Sequence, residues 1–194
     1  MKRVCDKLKA LDIDGIICPF TEEIFVPAMN EVLGTDYKMS DIDQNAWGYT
    51  DVFNITKEEE AKVWNSYFLV SYMMKAKPIQ RGLELIQSYE ENGFDYCFIT
   101  SRASHNNNDR SKTIRSVTRQ WIKEFTGSEK EVYFKRSHSK HWKALELGVN
   151  TMFEDNPETV RLLAMSGIYV FMPKYKYNEM IEESELVLPI ENWM

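Results

Sequence analysis

Short apolar runs recur along the chain at wide intervals, and most have the length of a buried β-strand. The segments between the later runs place apolar residues at helical spacing and end near a glycine. Strands that alternate with helices are typical of parallel βαβ units, so the pattern predicts an α/β protein with a doubly wound parallel sheet. The predicted strands are Leu8–Ile13, Phe94–Thr100, Val132–Phe134, Asn150–Glu154, Ile168–Phe171 and Leu186–Ile190. The predicted helices between them are Pro78–Asn92, Arg110–Phe125, Lys140–Leu147 and Pro157–Met165.

The interval between the first two predicted strands breaks this rhythm. It spans about 80 residues without a clear strand, far more than one crossover connection needs. Thr21–Leu33 has a helical pattern, and a capping box that starts at Thr56 precedes an amphipathic stretch, Glu58–Val70. Residues 20–77 are therefore predicted to form a small helical insertion after the first strand, with aromatic side chains that mainly build its core.

The composition narrows the class of protein. With 194 residues, of which 43% are hydrophobic, the chain can bury one substantial core. A net charge of −6 provides no field that would gather nucleic acid or anionic lipid, so neither stable nucleic-acid binding nor membrane binding is expected. The three cysteines are widely spaced and lack zinc-like pairing, which predicts reduced thiols in a cytoplasmic protein.

The first predicted strand carries the most informative polar residues. It ends in Asp12-Ile13-Asp14-Gly15, and two acids separated by one residue on an extended chain point to the same side. Like charges held this close repel unless a cation or a shared proton lies between them. The alternative is a plain acidic turn at the end of a strand.

Three further segments place polar side chains at strand ends or at a helix start. They contain Thr100, Ser101 and Arg102 after the second strand, Lys140 and Lys143 at a helix start, and Glu154 and Asp155 after the fourth strand. In an open α/β sheet, ligands bind at the carboxyl ends of the strands. Carboxylates there would hold a hard cation such as Mg²⁺, and a lysine with backbone amides would hold a phosphate.

In this order, the four segments resemble the motifs of the haloacid dehalogenase superfamily, specifically its phosphatases, over nearly the whole chain. The resemblance implies a Rossmann-like core domain, residues 1–19 and 78–194, and a helical cap, residues 20–77. A narrower likeness, to 5′(3′)-deoxyribonucleotidases and related nucleotidases, is carried by Ile79–Arg102 and Ala144–Glu158.

The resemblance implies hydrolysis of a phosphate monoester through an aspartyl-phosphate. Asp12 would be the nucleophile, and Asp14 would protonate the leaving group and then deprotonate the attacking water. Thr100 would bind a phosphoryl oxygen, and Ser101 would add hydrogen-bond donors.

The same resemblance implies Mg²⁺ as cofactor and a lysine that neutralises the phosphate. The metal ligands would be Asp12, the backbone carbonyl of Asp14, and Asp155, with Glu154 binding through water or orienting its neighbours. Lys140 stands at the expected helix start and is preferred as the phosphate lysine, with Lys143 as the alternative.

The substrate is predicted from the aromatic residues near the first motif. Phe20 matches the position at which the deoxyribonucleotidases stack an aromatic ring on the nucleobase, an interaction typically worth about 1–3 kcal/mol. Trp47 and Tyr49 are candidates for the same pocket, with packing inside the insertion as the alternative, and Arg102 is a candidate contact for phosphate or ribose. The expected substrate is a small phosphate monoester, in particular a nucleoside monophosphate.

Three alternatives remain at this stage. The same motifs would serve a phosphatase for another small phosphoester or for a nucleic-acid end, although the acidic charge disfavours a polynucleotide. A module that binds a nucleotide or a partner without turnover is the alternative from another class.

Because a small cap leaves the site partly open, a second copy of the chain could cover it in a homodimer.

Overall fold

The structure, a computed structural model, describes residues 7–41, 46, 48–103 and 108–194. Its strands are β1 Lys9–Leu11, β2 Tyr96–Thr100, β3 Val132–Phe134, β4 Thr151–Phe153, β5 Tyr169–Pro173 and β6 Val187–Ile190. They form one parallel sheet in the order β3-β2-β1-β4-β5-β6. The predicted doubly wound α/β fold is confirmed, and all six predicted strands are present with ends that differ by one or two residues.

Helices cover both faces of this sheet. They are α1 Val26–Leu33, α2 Tyr49–Phe53, α3 Lys57–Asn65, α4 Tyr67–Met73, α5 Gln80–Glu91, α6 Asp109–Thr126, α7 Lys140–Leu147 and α8 Pro157–Met165. Because side chains alternate along a strand, Leu11 faces a cluster that contains Trp121 of α6, whereas Ala10 faces a cluster that contains Val160 of α8. The two clusters form the two layers of the core.

The insertion between β1 and β2 is helical, with two departures from the sequence pattern. The segment predicted as Thr21–Leu33 starts with a π-helical turn, Thr21–Phe25, before α1, and Val26 donates to the Thr21 carbonyl five residues back. The predicted stretch Glu58–Val70 is two helices, α3 and α4. Ser66 has extended backbone angles between them, and its hydroxyl accepts a hydrogen bond from the Leu69 N–H at 3.2 Å, so it starts the second helix.

The insertion packs on the sheet layer that contains α5 and α6. Buried side chains of the insertion, such as Phe25 and Leu69, belong to the same apolar cluster as Phe98 of β2 and Trp121 of α6. The division into a core domain and a cap with the boundaries given above stays a prediction. Among the described residues, no helix combines the length and the apolar character needed to cross a membrane.

The loop after β1 is held by distant parts of the chain. The Ile16 carbonyl accepts a hydrogen bond from the indole N–H of Trp193 at 2.9 Å, and the Ile17 carbonyl accepts one from the Ile79 N–H at 2.9 Å. Gly82 of α5 lies so close to this loop that an added Cβ would stand 2.5 Å from the Ile16 carbonyl oxygen. The loop that follows Asp12 is therefore fixed from several sides.

Candidate active site

Asp12 lies where the strand register brings the ends of two strands, β1 and β4, side by side. Leu11 pairs with Phe153 of β4, so the residues that follow, Asp12 and Glu154, leave the sheet at the same edge. The Asp12 N–H donates to the Phe153 carbonyl at 2.9 Å, and Oδ1 of Asp12 accepts from the Ile13 N–H at 2.7 Å. The carboxylate is thus buried and held in one orientation at the end of the central strand.

Lys140 connects the two strand ends. Its side chain is 1% exposed, and Nζ donates to Oδ2 of Asp12 at 2.5 Å and to Oε2 of Glu154 at 2.8 Å. Burial alone would lower the pKa of Lys140, but the charges of the two carboxylates more than offset it and raise the pKa above its usual range. The ammonium therefore stays charged at this edge of the sheet.

Three buried carboxylates face this one lysine. Asp12, Glu154 and Asp155 each offer an oxygen, and these oxygens lie within 4.8 Å of one another. Burial, followed by repulsion from a neighbouring carboxylate, raises the pKa of Asp12 and of Asp155, and burial raises that of Glu154. An all-oxygen set with excess negative charge fits a hard divalent cation such as Mg²⁺.

The two acids after β4 differ in how their oxygens are used. Glu154 accepts from Lys140 through Oε2 and from the Asn156 N–H through Oε1 at 3.0 Å, so both oxygens already have partners. Asp155 accepts from the hydroxyl of Tyr177 at 2.5 Å through Oδ2. Glu154 is fully buried, whereas Asp155 keeps some exposure. The position therefore favours Asp155 over Glu154 as a direct metal ligand, with Glu154 orienting the lysine.

Gly15 makes room for Asp155. A Cβ at Gly15 would stand 2.1 Å from Oδ2 of Asp155, and the glycine has φ +73°, a conformation that other residues rarely adopt. The Gly15 carbonyl accepts a hydrogen bond from the Tyr175 hydroxyl at 2.6 Å. The glycine of the first motif is therefore required both by the turn and by the neighbouring carboxylate.

Asp14 is paired with Arg102, its neighbour across the sheet edge. The guanidinium donates from Nε to both carboxylate oxygens, at 2.9 and 3.1 Å, and from Nη2 to Oδ1. The side chain of Arg102 is 2% exposed, whereas that of Asp14 is 34% exposed and reaches a cavity. Arg102 lies over the Phe20 ring, 5.1 Å from its centroid, and does not line the cavity, so the structure places it as a partner of Asp14.

The other predicted phosphate-binding residues each have a different local partner. Thr100 is fully buried at the end of β2, and its hydroxyl accepts from the Arg102 N–H at 3.3 Å. The Ser101 hydroxyl is 2.9 Å from that of Ser137. Lys143 pairs with Glu146 at 2.6 Å and lies over the Tyr133 ring, 4.5 Å from its centroid, instead of joining Lys140.

A cavity of about 440 Å³ opens next to Asp14 and Asp155. Its aromatic side chains come from the insertion and from the segment after β5, and they are Phe20, Tyr49, Trp64, Tyr175 and Tyr177. Phe20 and Trp64 stack with ring centroids 5.5 Å apart at 19°. Trp47, predicted for the same pocket, lies outside the described residues. An aromatic cavity thus adjoins the acidic cluster.

Sequence reasoning missed the segment Tyr175–Asn178. Besides the two tyrosine contacts, the side-chain amide of Asn178 donates to the carbonyls of Asp155 and Pro173, both at 2.9 Å. A signal was present, because β5 is a parallel strand and its carboxyl end lies at the same edge as those of β1 and β4. The strand-end rule predicts a site contribution there, although no acidic or basic motif marks it.

Comparisons with known proteins were made on both sequence and structure. No family model matches the sequence. A curated protein from Bacillus cereus, "Putative nucleotidase", is 25% identical over 132 residues, and the match spans 66% of each chain. The chain therefore matches slightly less than two thirds of that relative's length.

Solved structures match a larger share of the chain than this relative does, at lower sequence identity. A haloacid dehalogenase-like hydrolase from Streptococcus pneumoniae has a TM-score of 0.60 at 11% identity and covers 89% of this chain and 86% of its own. CbbY from Rhodobacter sphaeroides, in complex with phosphate, has a TM-score of 0.58 at 14% identity and covers 94% and 93%. The chain has the fold of the haloacid dehalogenase family of hydrolases, as the order of its motifs predicts.

Proposed function

We propose that the protein is a Mg²⁺-dependent phosphatase that hydrolyses nucleoside monophosphates through an aspartyl-phosphate on Asp12. The observation that carries this proposal is the buried cluster of Asp12, Lys140, Glu154 and Asp155 beside the aromatic cavity. The cluster offers a carboxylate nucleophile, a fixed cation for the phosphate and oxygen ligands for a metal. The cavity offers room for the leaving group.

In the first step, a carboxylate oxygen of Asp12 forms a bond to phosphorus and the ester P–O bond breaks. Asp14, once its carboxyl group has turned from Arg102 into the cavity and taken up a proton, gives that proton to the departing alkoxide. In the second step, Asp14 takes a proton from water as the water oxygen attacks phosphorus, which releases phosphate and restores the Asp12 carboxylate. Arg102 holds the Asp14 side chain at the cavity between these steps.

Mg²⁺ would be held by Asp12, the Asp14 carbonyl and Asp155, and it would offset the charge that keeps phosphate away from a carboxylate. Lys140 supplies the fixed positive charge on the other side of Asp12. Thr100 and Ser101, at the end of β2, are proposed as phosphate contacts. Lys143 has a different partner, so Lys140 is the preferred phosphate lysine.

The nucleotide assignment is supported by the cavity and by one relative. Phe20 and Trp64 form an aromatic wall of the cavity against which a base can lie, and the Bacillus cereus relative is described as a nucleotidase. Another small phosphoester with a flat or apolar leaving group is the second candidate, since the same cavity would accept it. Binding without turnover is the third, and it requires the acidic cluster to be idle.

The cytoplasmic location and the homodimer also stay predictions. Burial raises the pKa of the Cys18 and Cys97 thiols to about 12, which keeps them unreactive. A solution molar-mass measurement would test the dimer.

The test is a panel of phosphate monoesters that contains nucleotides and sugar phosphates, assayed with and without Mg²⁺. We expect Mg²⁺-dependent hydrolysis that is faster for nucleotides, and a loss of at least about 1000-fold in Asp12→Asn. Asp109→Asn, a change of an exposed acid at the start of α6, is the matched control and should keep full activity. Sugar phosphates hydrolysed as well as nucleotides would overturn the nucleotide assignment, and no hydrolysis at all would favour the binding module.

A further inference from the structure

The cavity lining is mainly negative, so it would repel a second anionic group on the substrate. In the described part of the chain, its lining contains the carboxylates of Asp14, Glu22, Glu60 and Asp155 but a single cationic side chain, Lys176. Lys176 is exposed and already pairs with Glu179 at 3.2 Å. Away from the phosphate end, the cavity therefore suits a leaving group that is neutral or cationic and that donates hydrogen bonds.

Three of these four carboxylates already have a side-chain partner. Asp14 accepts from Arg102, Asp155 accepts from Tyr177, and Glu60 accepts from the indole N–H of Trp64 at 3.0 Å. Glu60 thus fixes an aromatic wall of the cavity. Asp14 and Asp155 lie at the end of the cavity beside the acidic cluster, where the phosphate would bind.

Glu22 differs from the other three. It lies two residues after Phe20 in the π-helical turn, it lines the cavity, and within the described residues its carboxylate has no side-chain partner. The Glu22 carboxylate accepts a hydrogen bond from its own backbone N–H, and burial raises the pKa of Glu22. A partly buried acceptor that faces an aromatic cavity is stabilised when a ligand brings an N–H donor.

We propose that Glu22 accepts a hydrogen bond from an amino group on the ring of the substrate, and that the enzyme therefore prefers nucleotides with amino-bearing bases. This inference rests on the proposed nucleotidase function. The flat ring would lie among the aromatic side chains that line the cavity, and the cavity volume of about 440 Å³ is enough for one nucleoside. A carbonyl in place of the amino group would present one acceptor to another, with no proton between them.

Two pairs of substrates test this selectivity because, within each pair, only the exocyclic group and the proton on the adjacent ring nitrogen differ. Cytidine and uridine 5′-monophosphates exchange an amino group for a carbonyl, and so do adenosine and inosine 5′-monophosphates. In the wild-type protein, we expect kcat/KM to favour the amino member of at least one pair by about tenfold or more, the usual size of a hydrogen bond to a charged group.

Glu22→Gln should reduce that ratio to near one, because the amide can turn to donate to the carbonyl as well as accept from the amine. The matched control is Glu23→Gln, which removes the same charge from the exposed neighbouring residue and should leave the ratio unchanged. Glu22→Ala serves as a second variant, and inhibition of the wild-type enzyme by the free nucleosides provides a binding readout. The nucleosides should show the same preference.

The outcomes separate this inference from the function on which it rests. If nucleotides are hydrolysed but neither pair shows an amino preference, or if Glu22→Gln and Glu23→Gln behave alike, the role of Glu22 is wrong and the nucleotidase assignment stands. If no nucleotide is hydrolysed or bound, both are wrong.

Discussion

The acidic cluster and the aromatic cavity lie side by side, but they are built in different ways. The cluster is made by strand ends whose register is fixed by the sheet, and Lys140 connects Asp12 to Glu154 across it. The cavity is made by side chains of the insertion and of the segment after β5, which meet through packing. In the proposed phosphatase, the sheet would determine the reaction, whereas the insertion and one loop would determine its substrate.

The largest expected effect would break the cluster while leaving the cavity unchanged. Lys140→Met removes the buried cation between two carboxylates, and we expect kcat to fall by at least about 100-fold, as for the loss of a preorganised electrostatic group. Lys143→Met, three residues along the same helix, should keep its activity because Lys143 pairs with Glu146. Equal losses in the two variants would contradict the assignment of Lys140, and circular dichroism checks that both variants fold.

A second change tests the close approach within the cluster. Gly15→Ala would bring a Cβ into the Asp155 carboxylate and strain a backbone at φ +73°, so we expect a loss of about 3 kcal/mol in the free energy of unfolding and weaker Mg²⁺ binding. Gly127→Ala is the matched control, since Gly127 has φ +69° with no atom within 4 Å of the added Cβ. It should lose about 1 kcal/mol, from backbone strain alone. Denaturant titration and calorimetry measure both effects, and identical losses would show that the collision is relieved.

A third change acts on the cavity alone. Phe20→Leu should raise KM for a nucleotide by about tenfold with little change in kcat, because it removes the ring that packs on Trp64 in the aromatic wall of the cavity. Phe68→Leu changes a partly exposed ring of α4 that does not line the cavity, and its KM should stay at the wild-type value. A fall in kcat with KM unchanged would place Phe20 in the reaction instead of in substrate binding.

The smallest expected effect is a change in the free energy of unfolding of the metal-free protein between two pH values. Burial raises the pKa of Asp12 to about 8 and that of Asp155 to about 7. At a pH above the usual carboxyl pKa, the folded protein therefore keeps protons on these groups, whereas the unfolded chain has released them. Stability should therefore fall as pH rises towards 8, by at least about 1 kcal/mol between pH 6 and pH 8. Mg²⁺ should reverse the loss, and more strongly at pH 8.

The control for this pH effect is Asp155→Asn, in which the slope should be smaller. Thermal unfolding in buffers of matched ionic strength measures it. A metal-free stability that rises between pH 6 and pH 8 would contradict the account of the carboxylates.

The sequence predicts the sheet and one side of the site for the same reason. Apolar runs such as Phe94–Thr100 mark buried strands, and polar residues directly after them must meet at one edge. That rule leads to Asp12 and Asp155, and the family resemblance adds Lys140 at a helix start. The structure brings these three residues together.

Other contacts depend on packing between distant segments, which a local pattern does not encode. The pairing of Arg102 with Asp14 and the hydrogen bond from Tyr177 to Asp155 belong to this group. The break at Ser66 was also missed, because an apolar helical pattern continues across it even though the serine starts a new helix.

The central claim is that Asp12 becomes covalently phosphorylated during turnover. The most direct measurement is to stop the reaction with acid during hydrolysis of a nucleotide with Mg²⁺, reduce the protein with borohydride and map the peptides by mass spectrometry. An acyl phosphate on Asp12 would be reduced to the corresponding alcohol, so homoserine should appear at position 12 in samples with substrate and be absent in Asp12→Asn. Turnover of the nucleotide with unmodified Asp12, or with the modification on another residue, would contradict the account.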